Sequence, residues 1–264
     1  MGDWFRQAGH GVRFEWGPAG AERLAADVAC LVVVDVLSFT TAVSVAVEAG
    51  TRVFPYRWRD ESAVGYAAGL GADLAVGRRA VTASSPWTLS PAALRRAPFT
   101  PRLVLPSPNG SAIAASAGDS AVVAASLRNA TAVGRWLAAQ GYGRPARPVG
   151  VIASGERWPD GSLRPALEDL LGAGAVIAAL RDGRSAAAGP GAPSHSDAPA
   201  LSPEATAAAA AHAATADVGA ALAACSSGRE LVEGGFAEDV AVAAELDACA
   251  VVPLLTEGAF APAE

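Results

Sequence analysis

The run Cys30-Leu31-Val32-Val33-Val34-Asp35-Val36 constrains the fold of this chain more than any other segment. A strand with one wet face alternates apolar and polar residues. This one is continuously apolar up to Asp35, the pattern of a central parallel strand covered on both faces. Its surroundings agree. Val12 to Trp16 reads as a strand, Pro18 to Asp27 as a helix, and Thr40 to Ala49 as a helix stopped by Gly50. Further strands are expected at Thr51 to Tyr56, Ala72 to Val76, Leu103 to Leu105, Ala121 to Ala124 and Val149 to Ala153. Helices are expected at Asp60 to Leu70, Ser111 to Ala117, Asn129 to Gln140 and Leu170 to Leu180. Strands alternating with helices predict an α/β fold with a mostly parallel, doubly wound sheet.

The 264 residues, 52% of them hydrophobic, suffice for a single α/β domain over 1–264. Residues 185–203, rich in Ala, Gly, Pro and Ser, read as a flexible surface insertion that contains His195. An Ala-rich helix follows, then helices near Ser227 to Glu233 and Ala237 to Asp247, a last strand near Val251 to Leu255, and a frayed tail. A net charge of −6 lacks the basic footprint of a nucleic-acid binder, yet leaves local arginines free to meet a small anionic substrate. Cys30, Cys225 and Cys249 show no metal-ligand spacing and read as reduced, buried thiols of a cytoplasmic protein. No signal peptide is expected at the N-terminus, and no apolar run reaches the ~20 residues of a membrane helix. Homo-oligomerisation is left open.

Five segments carry chemistry-bearing residues. Asp35 ends the buried strand, where open α/β sheets bind ligands, and Ser38, Thr40 and Thr41 follow at a loop-to-helix junction. These hydroxyls suit a phosphate or, equally, a helix cap. Ser107-Pro108-Asn109-Gly110-Ser111 repeats that arrangement, with Asn109-Gly110 suited to a positive-φ turn and Ser111 to an N-cap. Arg128 and Asn129 open a helix after a strand. An arginine there opposes the helix dipole and suits either an anionic substrate or a salt bridge. Glu156 and Asp160 lie in a polar loop, and Glu168 and Asp169 in the first turn of an apolar helix. Hard carboxylates without clustered His or Cys favour Mg²⁺ over zinc, although acids in a first turn also stabilise the helix itself. Ser226-Ser227-Gly228-Arg229 forms either an anion nest or a cap. Asp35, Asn109, Arg128 and Glu156 all follow strands on one topological edge, so their loops converge. No GxxxxGK[ST], GxSxG or HExxH motif is present.

The set DVLSFTTAV from Asp35, SPNGS from Ser107, LRNA from Leu127, GERWPDGSLRPALEDLLGAGA from Gly155, and SGREL followed by GFAEDV from Ser227 resembles the 2-phosphosulfolactate phosphatase family. The resemblance covers about residues 30 to 255 in the family's order. It implies that family's α/β fold and a Mg²⁺-dependent phosphatase that converts 2-phospho-3-sulfolactate to 3-sulfolactate and phosphate. The family's first motif carries Arg-Ala-Thr-Thr after the strand Asp, where this chain has Ser38-Phe39-Thr40-Thr41. The family's Thr-Thr-Asn-Gly-Thr is here Ser107 to Ser111.

On these grounds Asp35, Glu168 and Asp169 are expected to bind Mg²⁺. Thr40, Thr41, Asn109, Gly110, Ser111 and Asn129 are expected to bind the substrate. Arg128 and Arg229 are expected to meet substrate charge, and Glu156 is the candidate general base. The rival readings are a binding protein on the same fold without turnover, motivated by Ser38, and a phosphatase for another phosphorylated hydroxy acid.

Overall fold

The computed structural model describes residues 4–57, 60–115, 120–187 and 200–263. Its strands are β1 (Val12–Trp16), β2 (Cys30–Val34), β3 (Arg52–Tyr56), β4 (Asp73–Leu74), β5 (Arg102–Pro106), β6 (Ala121–Ala125), β7 (Val149–Ala153), β8 (Glu156–Arg157), β9 (Leu163–Arg164), β10 (Pro253–Thr256) and β11 (Ala259–Pro262). Its α-helices are α1 (Gly17–Ala25), α2 (Phe39–Glu48), α3 (Ser62–Leu70), α4 (Pro91–Arg96), α5 (Gly110–Ala115), α6 (Ala130–Ala139), α7 (Leu167–Ala187), α8 (Pro203–Ala214), α9 (Val218–Ala224), α10 (Ser226–Glu233) and α11 (Ala237–Ala243).

The main sheet has the order β1-β7-β2-β6-β10-β11-β3-β5-β4. β1, β7, β2 and β6 pair in parallel, as do β3, β5 and β4. β2 is buried along its whole length. Val32 and Val34 enter the core beneath α6, α7 and α8, and Leu31 and Val33 enter the opposite core beneath α1 and α2. The continuous apolar run therefore serves two cores at once, each fully buried Val or Leu contributing ~1.5–3 kcal/mol. The doubly wound, mostly parallel sheet expected from the sequence is the fold observed.

The tail departs from expectation. Instead of fraying, residues 253–262 form an antiparallel hairpin that joins the two parallel halves. Leu254 of β10 pairs with Val123 of β6, and Phe260 of β11 pairs with Val53 of β3. Phe260 is fully buried and packs edge-on against Phe39 at 6.3 Å between centroids. The turn between the strands has φ values of 51° at Glu257 and 77° at Gly258, both positive as a tight type I′ hairpin requires.

The expected insertion is shorter than 185–203. Helix α7 continues to Ala187, Leu201 bridges to Val12, and α8 starts at Pro203, capped by Ser202. His195 and residues 188–199 lie outside the described residues, as do Ser116 and Ala117 of the helix expected from Ser111. Among the described residues no single helix is long and apolar enough to cross a membrane. The three cysteines are buried and unpaired by disulfides.

Candidate active site

The site forms where the loops after β2, β5 and β7 meet at the carboxyl edge of the sheet. Asp35 holds two of these loops together. Its Oδ1 accepts from Phe39 N at 3.0 Å, and its Oδ2 accepts from Gly110 N at 3.0 Å. Glycine is required at 110 by close approach: a Cβ there would meet Phe39 Cδ1 at 2.4 Å and Asp35 Oδ2 at 2.9 Å. Gly110 has no positive φ, so this crowding replaces the turn conformation expected from the sequence.

Asp169, in the first turn of α7, fastens the third loop. Its Oδ1 accepts from Val36 N at 2.7 Å and its Oδ2 from Gly155 N at 2.8 Å. Burial, with Asp35 and Glu168 adding like charge, pushes this carboxyl well above the usual aspartate range, against the pull of those two amides. Glu168 is also buried and accepts from Cys225 Sγ at 3.2 Å. The same thiol accepts from Gly228 N at 3.3 Å, which ties the start of α10 to α7. Burial and Glu168 push the Cys225 thiol up to about 11, so it stays protonated as a donor.

Glu156 opens a short hairpin of β8 and β9 that follows β7. There it pairs with Arg164, across a turn at Pro159-Asp160-Gly161. This hairpin was expected only as a loop. Asp160 stays in the exposed turn, bonded to Ser162, outside the carboxylate cluster. Glu156 is partly buried and accepts from Asn109 Nδ2 at 3.3 Å. Burial comes first, then Asp35 and Glu168, in pushing Glu156 up to about 7; Arg164 opposes them. Arg164 also donates to Ser227 Oγ at 3.3 Å and lies 5.7 Å from the Trp158 ring centroid. The cluster thus comprises four carboxylates, Asp35, Glu156, Glu168 and Asp169, with Arg164 as their cation.

Several expected ligand residues instead hold the scaffold. Thr40 Oγ1 donates to Asp35 O at 2.8 Å and Thr41 Oγ1 to Val36 O at 2.7 Å, and both threonines are fully buried. Their hydroxyls fix the loop. Ser111 donates to Tyr56 O at 2.8 Å and to Ser107 O, so it joins two strand ends instead of capping a helix. Asn129 accepts from Ser126 N at 2.8 Å and donates to Val251 O at 3.2 Å, bracing the end of β6.

Arg128, expected to meet substrate charge, is committed to protein partners. Its buried guanidinium reaches the later turns of α2, donating to Ser44 at 3.1 Å and Glu48 at 3.2 Å, with Glu245 at 3.3 Å. The strand ends on the expected edge, but its arginine turns away from the crevice. Arg229 is exposed and pairs with Glu233 at 3.3 Å one turn along α10. Of that helix it is Glu230 whose charge reaches Glu156.

Two arginines to which the sequence pattern assigned no role stand at the site instead. Arg164 is one. Arg78, just after β4, is the other. Its Nη2 donates to Ser38 Oγ, the residue before Phe39, and its Nε donates to Asp239 Oδ2 at 2.8 Å. Asp239 is buried and also accepts from Ser90 Oγ and from Ala92 N at 3.2 Å. Its role is to anchor Arg78. The available signal was positional: Arg78 follows a predicted strand on the same edge as Asp35 and Asn109.

The donor set suits a hard cation. Its members are carboxylate oxygens, and the repulsion among them is what a divalent ion relieves. No three His, Cys, Asp or Glu side chains among the described residues form a ready-made metal cage. Mg²⁺ does not demand one, since it takes one or two carboxylates and keeps several waters.

Fold and site together define an α/β protein whose ionisable side chains converge at the carboxyl edge of a mostly parallel sheet. The chain belongs to the 2-phosphosulpholactate phosphatase family, whose model matches residues 19–258. That family comprises phosphatases, which are phosphoric monoester hydrolases. A search of curated proteins found no match.

Proposed function

We propose that this protein is a Mg²⁺-dependent phosphatase acting on a small phosphate monoester with further acidic groups, most directly 2-phospho-3-sulfolactate. The observation that carries the reading is the meeting of Asp35, Glu156 and Glu168 opposite Arg164 in the β8–β9 hairpin. Asp35 and Glu168 would hold the cation, with Asp169 behind them fixing the loops. When bound, the ion neutralises phosphoryl charge and orients substrate.

The chain's own residues supply the rest. Arg164 binds phosphoryl oxygens from the hairpin side, where a fixed guanidinium fork stabilises charge spread over the transferring group. Glu156, with a pKa of about 7, matches the requirement for proton transfer near neutral pH. Water adds to phosphorus and the ester P–O bond breaks. One water proton passes to Glu156 and from there to the departing alkoxide. Asn109 orients the Glu156 carboxyl through its amide.

The test is phosphate release from a panel of phosphorylated hydroxy acids, 2-phosphosulfolactate included, with Mg²⁺ and again with EDTA. The reading expects release that EDTA abolishes and that falls at least ~100-fold in Asp35→Asn and Glu168→Gln. Folded protein that releases no phosphate from any compound would overturn it in favour of a non-catalytic binding protein.

A further inference from the structure

Arg78 is held in place more firmly than a surface arginine needs to be. Its Nε is fixed by Asp239 at 2.8 Å, and Asp239 is itself fixed by Ser90 and the Ala92 amide. The Phe236 ring lies 5.4 Å below the guanidinium. The fork is thereby aimed at Ser38, one residue before the amide that binds Asp35. Among the described residues Nη1 has no protein partner. Beside Arg78 lies a cavity of about 360 Å³, lined by Ala63, Leu74, Val76, Leu89 and Pro106. Pro106 ends β5 and directly precedes the loop that carries Asn109 and Gly110. Through Pro106 and through the Arg78–Ser38 bond, the cavity lining thus adjoins the two loops that Asp35 joins. Asp60, also on its lining, is exposed and already bonded to Ser62.

From this arrangement we infer that Arg78 and its cavity form the subsite for one of the substrate's other anionic groups, its sulfonate or its carboxylate, while the phosphoryl group lies at Glu156 and Arg164. The inference rests on the proposed phosphatase reading and adds a specificity determinant to it. A positioned guanidinium binds a planar or tetrahedral oxyanion through two parallel hydrogen bonds. The largely apolar lining lowers the local dielectric around that pair, which strengthens it. With Arg164 at the phosphoryl group and Arg78 at a second anion, a substrate that carries both is gripped at both. A simple monoester is gripped at one.

The experiment compares kcat/KM for phosphosulfolactate, phosphoglycolate and phenyl phosphate in wild-type protein, Arg78→Gln, Arg78→Lys and Ala63→Phe. The ratio of kcat/KM for either acid-bearing ester to that for phenyl phosphate should drop roughly 10- to 100-fold in Arg78→Gln, mainly through KM. Arg78→Lys should recover part of that loss. Ala63→Phe fills the cavity and leaves Arg78 and Asp239 unsubstituted, so it should lower the ratio even where Arg78→Gln folds poorly. A larger loss for phosphosulfolactate than for phosphoglycolate assigns the subsite to the sulfonate; equal losses assign it to a carboxylate. Calorimetric titration of 3-sulfolactate gives a readout free of turnover. Binding that weakens in both Arg78→Gln and Ala63→Phe supports the subsite even if no compound is hydrolysed. Unchanged ratios and unchanged binding in both variants would overturn it.

Discussion

Replacing Glu156 by Gln should stabilise the protein at alkaline pH while removing its activity. Burial and the neighbouring Asp35 and Glu168 move this carboxyl from 4.5 to about 7. Below about 4.5 it is protonated in folded and unfolded chains alike and has no differential effect. Between about 4.5 and 7 the unfolded chain has released a proton that the folded protein still holds, so stability falls as pH rises. Above about 7 the full cost is present. At 1.36 kcal/mol per tenfold in proton affinity the ceiling is about 3 kcal/mol. Partial solvent contact lowers that to about 1–3 kcal/mol. For a chain of this size such a gain raises Tm by roughly 3–8 °C. The assay is thermal unfolding of wild-type protein and Glu156→Gln at pH 5 and pH 8.5, without divalent ions. The variant should melt higher at pH 8.5, and most of the difference should vanish at pH 5. A gap that is equal at both pH values, or a variant that is less stable at pH 8.5, would refute the electrostatic account of this site.

Three further outcomes follow from the packing. Asp169→Asn should destabilise the protein at neutral pH by about 1–3 kcal/mol in urea unfolding, because one of the two buried amides, Val36 or Gly155, loses its acceptor. Gly110→Ala should cost about 1–3 kcal/mol, since its Cβ would overlap Phe39, and should lower kcat by shifting Asp35. Arg128→Met should reduce stability by about 2–4 kcal/mol through the loss of a buried guanidinium, with KM changed less than threefold in the folded protein. A large KM effect in that last variant would return Arg128 to the substrate site.

Much of the architecture was legible because it rests on local patterns. The run Cys30 to Val34 required cover on both faces, and the structure supplies two cores. Asp35 was legible as a site residue for the same reason, being a carboxylate at the end of a buried strand. Glu168 and Asp169 were legible as a pair, though not the division between them. Asp169 is committed to two amides from distant loops, which spacing along a helix cannot reveal. The side-chain directions of Arg128 and Arg229 were not legible either. Both stand at helix starts on the right edge, yet one turns into the later turns of α2 and the other to its own helix. Arg78 takes its place through long-range pairing with Asp239, and Arg164 through a hairpin whose two-residue ladder sets it opposite Glu156. The tail was misread because Leu254, Leu255 and Phe260 offer only short apolar stretches. The Glu257-Gly258 turn was the local clue to a hairpin.

The central claim is that Glu156, raised to about 7 within the carboxylate cluster, moves the proton in phosphate-ester hydrolysis. Its most direct test is the pH profile of kcat for phosphosulfolactate in wild-type protein and Glu156→Gln at saturating Mg²⁺. The wild-type rate should climb as pH rises through a value near 7, displaced downward if the bound cation stabilises the carboxylate, and the variant should be at least ~100-fold slower with that limb lost. A variant that keeps the wild-type rate and the same rising limb would contradict the account.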